Sequence, residues 1–123
     1  MIKFVFCLRR KPGMSRQEFQ TYWRERHAAL VREHAQTIGC KRYVQAHTLQ
    51  SELNSELRAT RGAPDEYDGV AELWFDEREF TNPTLDRERV QQASERLIED
   101  EREFIDLSRS PLFWAKEHVV IEG

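Results

Sequence analysis

The stretch S15-R-Q-E-F-Q-T-Y-W-R-E-R-H-A-A-L-V-R-E-H34 decides how the rest of the chain is read. Phe19, Trp23, His27, Leu30 and His34 recur at steps of four, four, three and four. Those steps keep side chains on one face of a 3.6-residue helix, so the stretch reads as one amphipathic helix. Ser15 followed by Glu18 is a capping box, in which hydroxyl and carboxylate each satisfy a first-turn amide. Arg24, Glu25, Arg32 and Glu33 fall largely outside the stripe and suit water. His27 lies inside it, between Trp23 and Leu30. A titratable ring facing a core is either a histidine satisfied by buried hydrogen bonds or a residue with a chemical role.

On the N-terminal side of this helix, Ile2–Leu8 is an apolar run rich in β-formers that ends at the loop Arg9-Arg10-Lys11-Pro12-Gly13. Ile2, Phe4, Phe6 and Leu8 share one face, and Val5 and Cys7 share the other. Both faces are apolar, which predicts a central strand covered on both sides. On the C-terminal side, Gly39 stops the helix. Cys40–His47 then alternates as a strand, with Lys41, Tyr43, Gln45 and His47 opposite Cys40, Val44 and Ala46.

The Leu49–Glu66 segment has no strand pattern. Leu49, Leu53 and Leu57 allow a short helical turn, and the rest reads as a long flexible connection or a lid over residues 50–66. Tyr67–Asp76 is the clearest strand, with Val70, Glu72 and Trp74 on one face and Ala71, Leu73 and Phe75 on the other. Glu72, between large apolar residues, needs a partner: an arginine from a neighbouring strand, or a reacting group. Glu77–Leu85 reads as a turn or short helix. Asp86–Leu107 follows as a long charged helix with Val90, Ala93, Leu97, Glu101, Phe104 and Leu107 inward. Leu112–Ile121 is the last strand.

The order is therefore β-α-β-β-α-β, the ferredoxin-like split arrangement: an α+β fold with an antiparallel sheet and two main helices on one face. With 123 residues the chain fits a single domain over 1–123. The face without helices, assigned to Phe4, Val5, Leu73, Phe75, Val119 and their neighbours, calls for a second copy packing sheet to sheet as a homodimer.

Composition narrows the function. Nineteen Lys and Arg against 22 Asp and Glu give a net charge of −3, which offers no nucleic-acid footprint. No run approaches the roughly 18 apolar residues of a membrane span, and the N-terminus lacks a signal-peptide pattern. The expected location is cytoplasmic, with Cys7 and Cys40 as reduced thiols. Nucleotide-phosphate loops, HExxH, GxSxG and catalytic-cysteine signatures are missing. His27 and His34 alone do not make a metal site, so neither metal nor cofactor is expected. The inward His, Tyr, Glu and Trp side chains suit proton transfer on an apolar carbonyl or phenolic compound.

Three blocks, LRRKPGMSRQEFQTYWRERHAALV, YDGVAELWFD and EREFIDLSRSPLFWAKEHVVI, closely resemble the EthD family of dimeric α+β barrel proteins. The resemblance covers nearly the whole chain. It implies a ferredoxin-like subunit, a homodimer whose sheets form a barrel, and a cavity between each sheet and its helices. The family's helix histidine matches His27, the aspartate before its third strand matches Asp68, and its strand pattern matches Gly69, Glu72, Trp74 and Phe75. The Leu49–Glu66 connection departs from it. The family takes its name from an ether-degradation gene cluster, where its role resembles an accessory to an oxidising system. Related barrels resemble muconolactone-type isomerases and polyketide cyclases or dehydratases, which need no cofactor.

The expectation is thus a cofactor-free enzyme in which His27 moves a proton on a small hydrophobic metabolite, with Glu72 and Asp68 as further catalytic candidates. Trp23, Tyr43, His47 and Trp74 are the candidate substrate-binding side chains. The alternatives are a non-catalytic binding or accessory protein of a degradation pathway, and a small oxidoreductase.

Overall fold

The computed structural model describes all residues, 1–123. Its elements are β1 (Ile2–Leu8), α1 (Arg16–Tyr22), a π turn (Trp23–His27), α2 (Ala28–Ile38), β2 (Cys40–His47), α3 (Glu52–Ala59), β3 (Gly69–Phe75), a 3₁₀ turn (Glu77–Phe80), α4 (Arg87–Glu101), a second 3₁₀ turn (Leu107–Arg109) and β4 (Leu112–Ala115). The sheet runs β2-β3-β1-β4, and every pairing is antiparallel. This is the ferredoxin-like α+β order, with β1 and β3 central.

The capping box forms as the sequence predicts: Ser15 Oγ accepts from the Glu18 amide, and Glu18 accepts from the Ser15 amide. The helix that follows is not uniform. The Ala28 amide bonds back to the Trp23 carbonyl, five residues earlier, and so opens a π turn. Phe19, Trp23, His27 and Val31 are all buried. Successive steps of four drift by about 40° each on an α-helix. The wider π turn takes part of that drift back and holds the four residues in line. The stripe therefore continues to Val31, and Leu30, its predicted continuation, is only half-buried. Gly39, at φ 77°, ends α2 in the left-handed conformation.

Register and pleat fix which residues face the helices. Phe4, Phe6 and Leu8 of β1, Tyr43 of β2, and Ala71 and Leu73 of β3 pack against Phe19, Trp23, Phe104 and Ile105. Trp114 joins this side through edge contacts with Phe4 and Phe75. The other face carries Lys3, Val5, Cys7, Val44, Val70, Glu72, Trp74 and Phe113 by alternation. The helix-free face is thus only in part the one assigned from sequence: Val5 is on it, Phe4, Leu73 and Phe75 lie on the helix side, and Val119 is outside the sheet. Alternation reveals that two residues share a face, but not which face the helices will cover.

The helical turn that Leu49, Leu53 and Leu57 allow within the Leu49–Glu66 connection is α3, started by Ser51 and bearing the exposed Leu53 and Leu57. Two further expectations change. The last long helix ends at Glu101 instead of Leu107. Backbone bonds from Lys11 to Phe104 and from Asp106 to Arg9, with a bridge between Arg10 and Ile105, draw that segment alongside the end of β1. The last strand stops at Ala115, short of Ile121. Ala115 pairs with Lys3, and β1 has ended just beyond, so no ladder is there for residues 117–121 to join.

Candidate functional site

Between the π turn and α4, His27 sits 5% exposed beside the Phe104 ring, with centroids 5.0 Å apart. Its Nδ1 lies 2.8 Å from Asp100 Oδ2, at the last turn of α4. The Tyr22 hydroxyl donates to Asp100 Oδ1 at 2.7 Å. One carboxylate therefore receives both the histidine ring and the tyrosine. With Asp100 ionised, the ring must donate from Nδ1. That fixes the tautomer and leaves the Nε2 lone pair as its basic site. Nε2 makes no hydrogen bond within the protein.

The electrostatics agree with this assignment. Burial pushes His27 below the usual histidine range, against the pull of Asp100, so the ring is neutral at neutral pH. Burial also pushes Asp100 upward, but hydrogen bonds from Tyr22 and His27 outweigh it and keep the carboxyl ionised. Burial and the Asp100 bond raise Tyr22 to about 12. Glu101, next along the chain, is raised to about 7 by burial and by the Asp100 charge.

One helical turn before His27, Trp23 Nε1–H donates to the Tyr43 hydroxyl at 3.1 Å. Gln45 Nε2 donates to the same oxygen at 2.9 Å and to the Trp23 carbonyl at 3.0 Å. Tyr43 therefore accepts two N–H groups, and its own proton has no protein acceptor. His47 stacks on Trp23 at 4.4 Å and shares a hydrogen bond with Gln45 Oε1. Trp23, Tyr43 and His47 thus form one group on the helix side, and His27 lies one helical turn beyond Trp23 against Asp100 and Phe104.

The remaining candidates lie elsewhere. Glu72 is on the opposite face, 2.5 Å from Lys3 Nζ. It takes the predicted ion pair, with a lysine in place of an arginine, and cannot orient His27; Asp100 does that. Trp74 is on the same outer face, between Lys3 and Arg42. Asp68 is 4% exposed at the end of the sheet, where it receives the Arg10 amide at 2.8 Å, Arg10 Nη1 at 2.5 Å and Arg16 Nε at 2.9 Å. Burial raises this carboxyl, but the arginine contacts prevail and hold it below the usual range. Asp68 acts on arginines and does not touch His27.

The apolar space expected between sheet and helices is filled at its centre, and a cleft of about 230 Å³ remains between α2 and the edge strand β2, lined by Ala28, Val31, Ala35, Cys40 and Tyr43 among others. Phe19, Trp23 and Phe104 are at most 1% exposed and pack together. A Cβ on Gly69 would lie 2.8 Å from Trp23 Cη2 and 2.9 Å from the Ala46 carbonyl, so glycine alone lets the indole settle on β3. No group of three or more His, Cys, Asp or Glu side chains is arranged to hold a metal ion. No helix is long and apolar enough to cross a membrane.

Fold and sequence together place the chain: the EthD domain profile matches residues 11–108, and the chain belongs to the EthD family. Among solved structures it is similar to an ethyl tert-butyl ether (EthD) family protein from Bacillus halodurans, 18% identical, with 96% of this chain and 99% of that one covered at a TM-score of 0.59. It is also similar to HapK from Hahella chejuensis, 10% identical over the whole of both chains at a TM-score of 0.54. At such identities the likeness is one of fold. No curated protein matches the sequence.

Proposed function

We propose that this EthD-family protein is a cofactor-free enzyme of small-molecule metabolism in which His27 is the general base. The observation that carries the reading is the Tyr22–Asp100–His27 chain, with its neutral, tautomer-fixed ring and unpartnered Nε2. Such a ring takes a proton from carbon or hydroxyl and returns it elsewhere on the same molecule, while Asp100 stabilises the imidazolium formed between. Isomerisation, dehydration and cyclisation of a carbonyl or phenolic compound all fit that single-base chemistry. The Tyr43 hydroxyl proton is a donor ready for the substrate oxygen. The working unit is a homodimer formed through the outer sheet face. The Lys3–Glu72 pair there is already matched within each subunit, so covering it leaves no lone charge.

The packed interior favours a second reading: a non-catalytic EthD protein in which His27 ties the π turn to α4. His27→Gln and Asp100→Asn separate the two. Under the first reading, His27→Gln abolishes turnover of a panel of muconolactones and aromatic polyketones, and Asp100→Asn lowers kcat by about a hundredfold or more. Melting temperatures in both variants stay within a few degrees of wild type. Under the second, both variants melt much lower and the wild type turns nothing over.

A further inference from the structure

The large clefts of this molecule lie away from His27, at the end of the sheet where β1 runs into α1. One has a volume of about 700 Å³ and no apolar residue in its lining. Two others, of about 470 and 360 Å³, adjoin it, and all three share Arg16 and Glu66. They form one polar basin. The 470 Å³ lobe is lined by the cations Arg9, Arg10, Lys11, Arg16, Arg58 and Arg109 against three carboxylates, Asp65, Glu66 and Asp68. The 700 Å³ lobe has Arg10, Arg16 and Arg24 against Glu66 alone. A chain of net charge −3 thus concentrates positive charge around a hollow.

Ion pairs that only staple the loop to the sheet would consume the cations they hold. Here they consume part. Asp68 holds one edge of Arg10 and the Nε of Arg16; Glu66 and Gln50 Oε1 both take Arg16 Nη1, and Glu66 also pairs with Arg58. The Nη2 of Arg16 and the Nε and Nη2 of Arg10 have no protein acceptor. Arg16 is held rigid, its side chain 15% exposed. Arg24, two helical turns beyond Arg16 on the same helix wall of the cleft, has only a 3.8 Å contact with its neighbour Glu25. Fixed guanidinium edges facing a cleft match planar oxyanions, and two cationic stations spaced along one helix wall of it match a molecule with two of them.

We propose that this basin binds a small organic dicarboxylate, one carboxylate on the Arg10–Arg16 edge and the other toward Arg24. With no apolar wall in the main lobe, the ligand is polar throughout. The site is separate from His27 and does not rest on its catalytic reading, because its readout is binding alone.

The test is NMR of the arginine Nε–H resonances, titrated with succinate, acetate and inorganic phosphate at constant ionic strength. Succinate is expected to shift the Arg10, Arg16 and Arg24 signals saturably, with a Kd of about 1 mM or tighter. Acetate should bind at least about tenfold more weakly. Arg24→Gln, which removes no contact of Asp68, should weaken succinate about tenfold. Lys41→Gln, the same charge change on an exposed β2 residue, should not weaken it. Should Arg16→Gln fold, it should abolish the shifts; Arg24→Gln decides the matter if it does not. Non-saturating succinate shifts, equal weakening by Arg24→Gln and Lys41→Gln, or tighter binding of phosphate than of succinate would each overturn the proposal.

Discussion

Glu101 shows how closely the charges around His27 are set. Its carboxyl is raised to about 7 by burial and by Asp100, whereas an unfolded glutamate titrates near 4.3. Between those values the folded state keeps a proton that the unfolded state has released, so rising pH costs stability across this window and the full cost stands above about pH 7. Glu101→Gln removes the titration. It should match wild type at pH 4 and exceed it at pH 8 by roughly 2 kcal/mol in urea denaturation; parallel pH profiles for the two proteins would refute the assignment. His27, lowered by burial, acts in the other sense: the unfolded ring takes up a proton first, so stability falls as pH drops below about 6.5. At this scale the sequence was partly legible. The four-residue spacing showed His27 facing inward, and Glu72 needed an ion-pair partner. Asp100 went unnoticed within Glu99-Asp100-Glu101-Arg102-Glu103, where every position is charged. Its place three residues after Leu97 was the one available signal. Arg10 and Arg16 lacked even that, because their grouping arises only when β3 delivers Asp68 to them.

Among the elements, the π turn and β3 depend on each other. The turn aims Trp23 at the sheet, and Gly69 leaves the space that the indole occupies. Gly69→Ala forces either the indole or strand β2 to move. It should cost about 1–3 kcal/mol in urea denaturation and should shift the Trp23 and Tyr43 resonances; unchanged stability would mean that the indole is loosely held. The element order was readable from hydrophobic period, and the start of the first helix from its capping box. The π turn was not, since a spacing of four is compatible with an α-helix over short distances. The ends of the last helix and the last strand were set by long-range pairing, which a local pattern does not carry.

For the molecule as a whole, the ferredoxin-like order was visible because β1, β3 and the two long helices have clear periods. The side of the sheet left open was not visible, because both faces of β1 are apolar. That open face, with Val5, Val44, Val70 and Phe113 around the Lys3–Glu72 pair, is the proposed dimer surface. Sedimentation at micromolar concentration should give a dimer for the wild type and a folded monomer for Val5→Arg; a monomeric wild type would exclude the barrel. The three tryptophans also sit in three different settings. Trp23 is 1% exposed and stacked on His47, Trp74 is flanked by Lys3 and Arg42, and Trp114 is 50% exposed. The chain therefore carries its own optical probes. Trp23 should supply the blue edge of the emission and Trp114 the red. Because a protonated imidazole quenches an adjacent indole, acidification should dim the blue component as His47 charges, giving an internal lamp that reports on the packed helix–sheet layer without any added label.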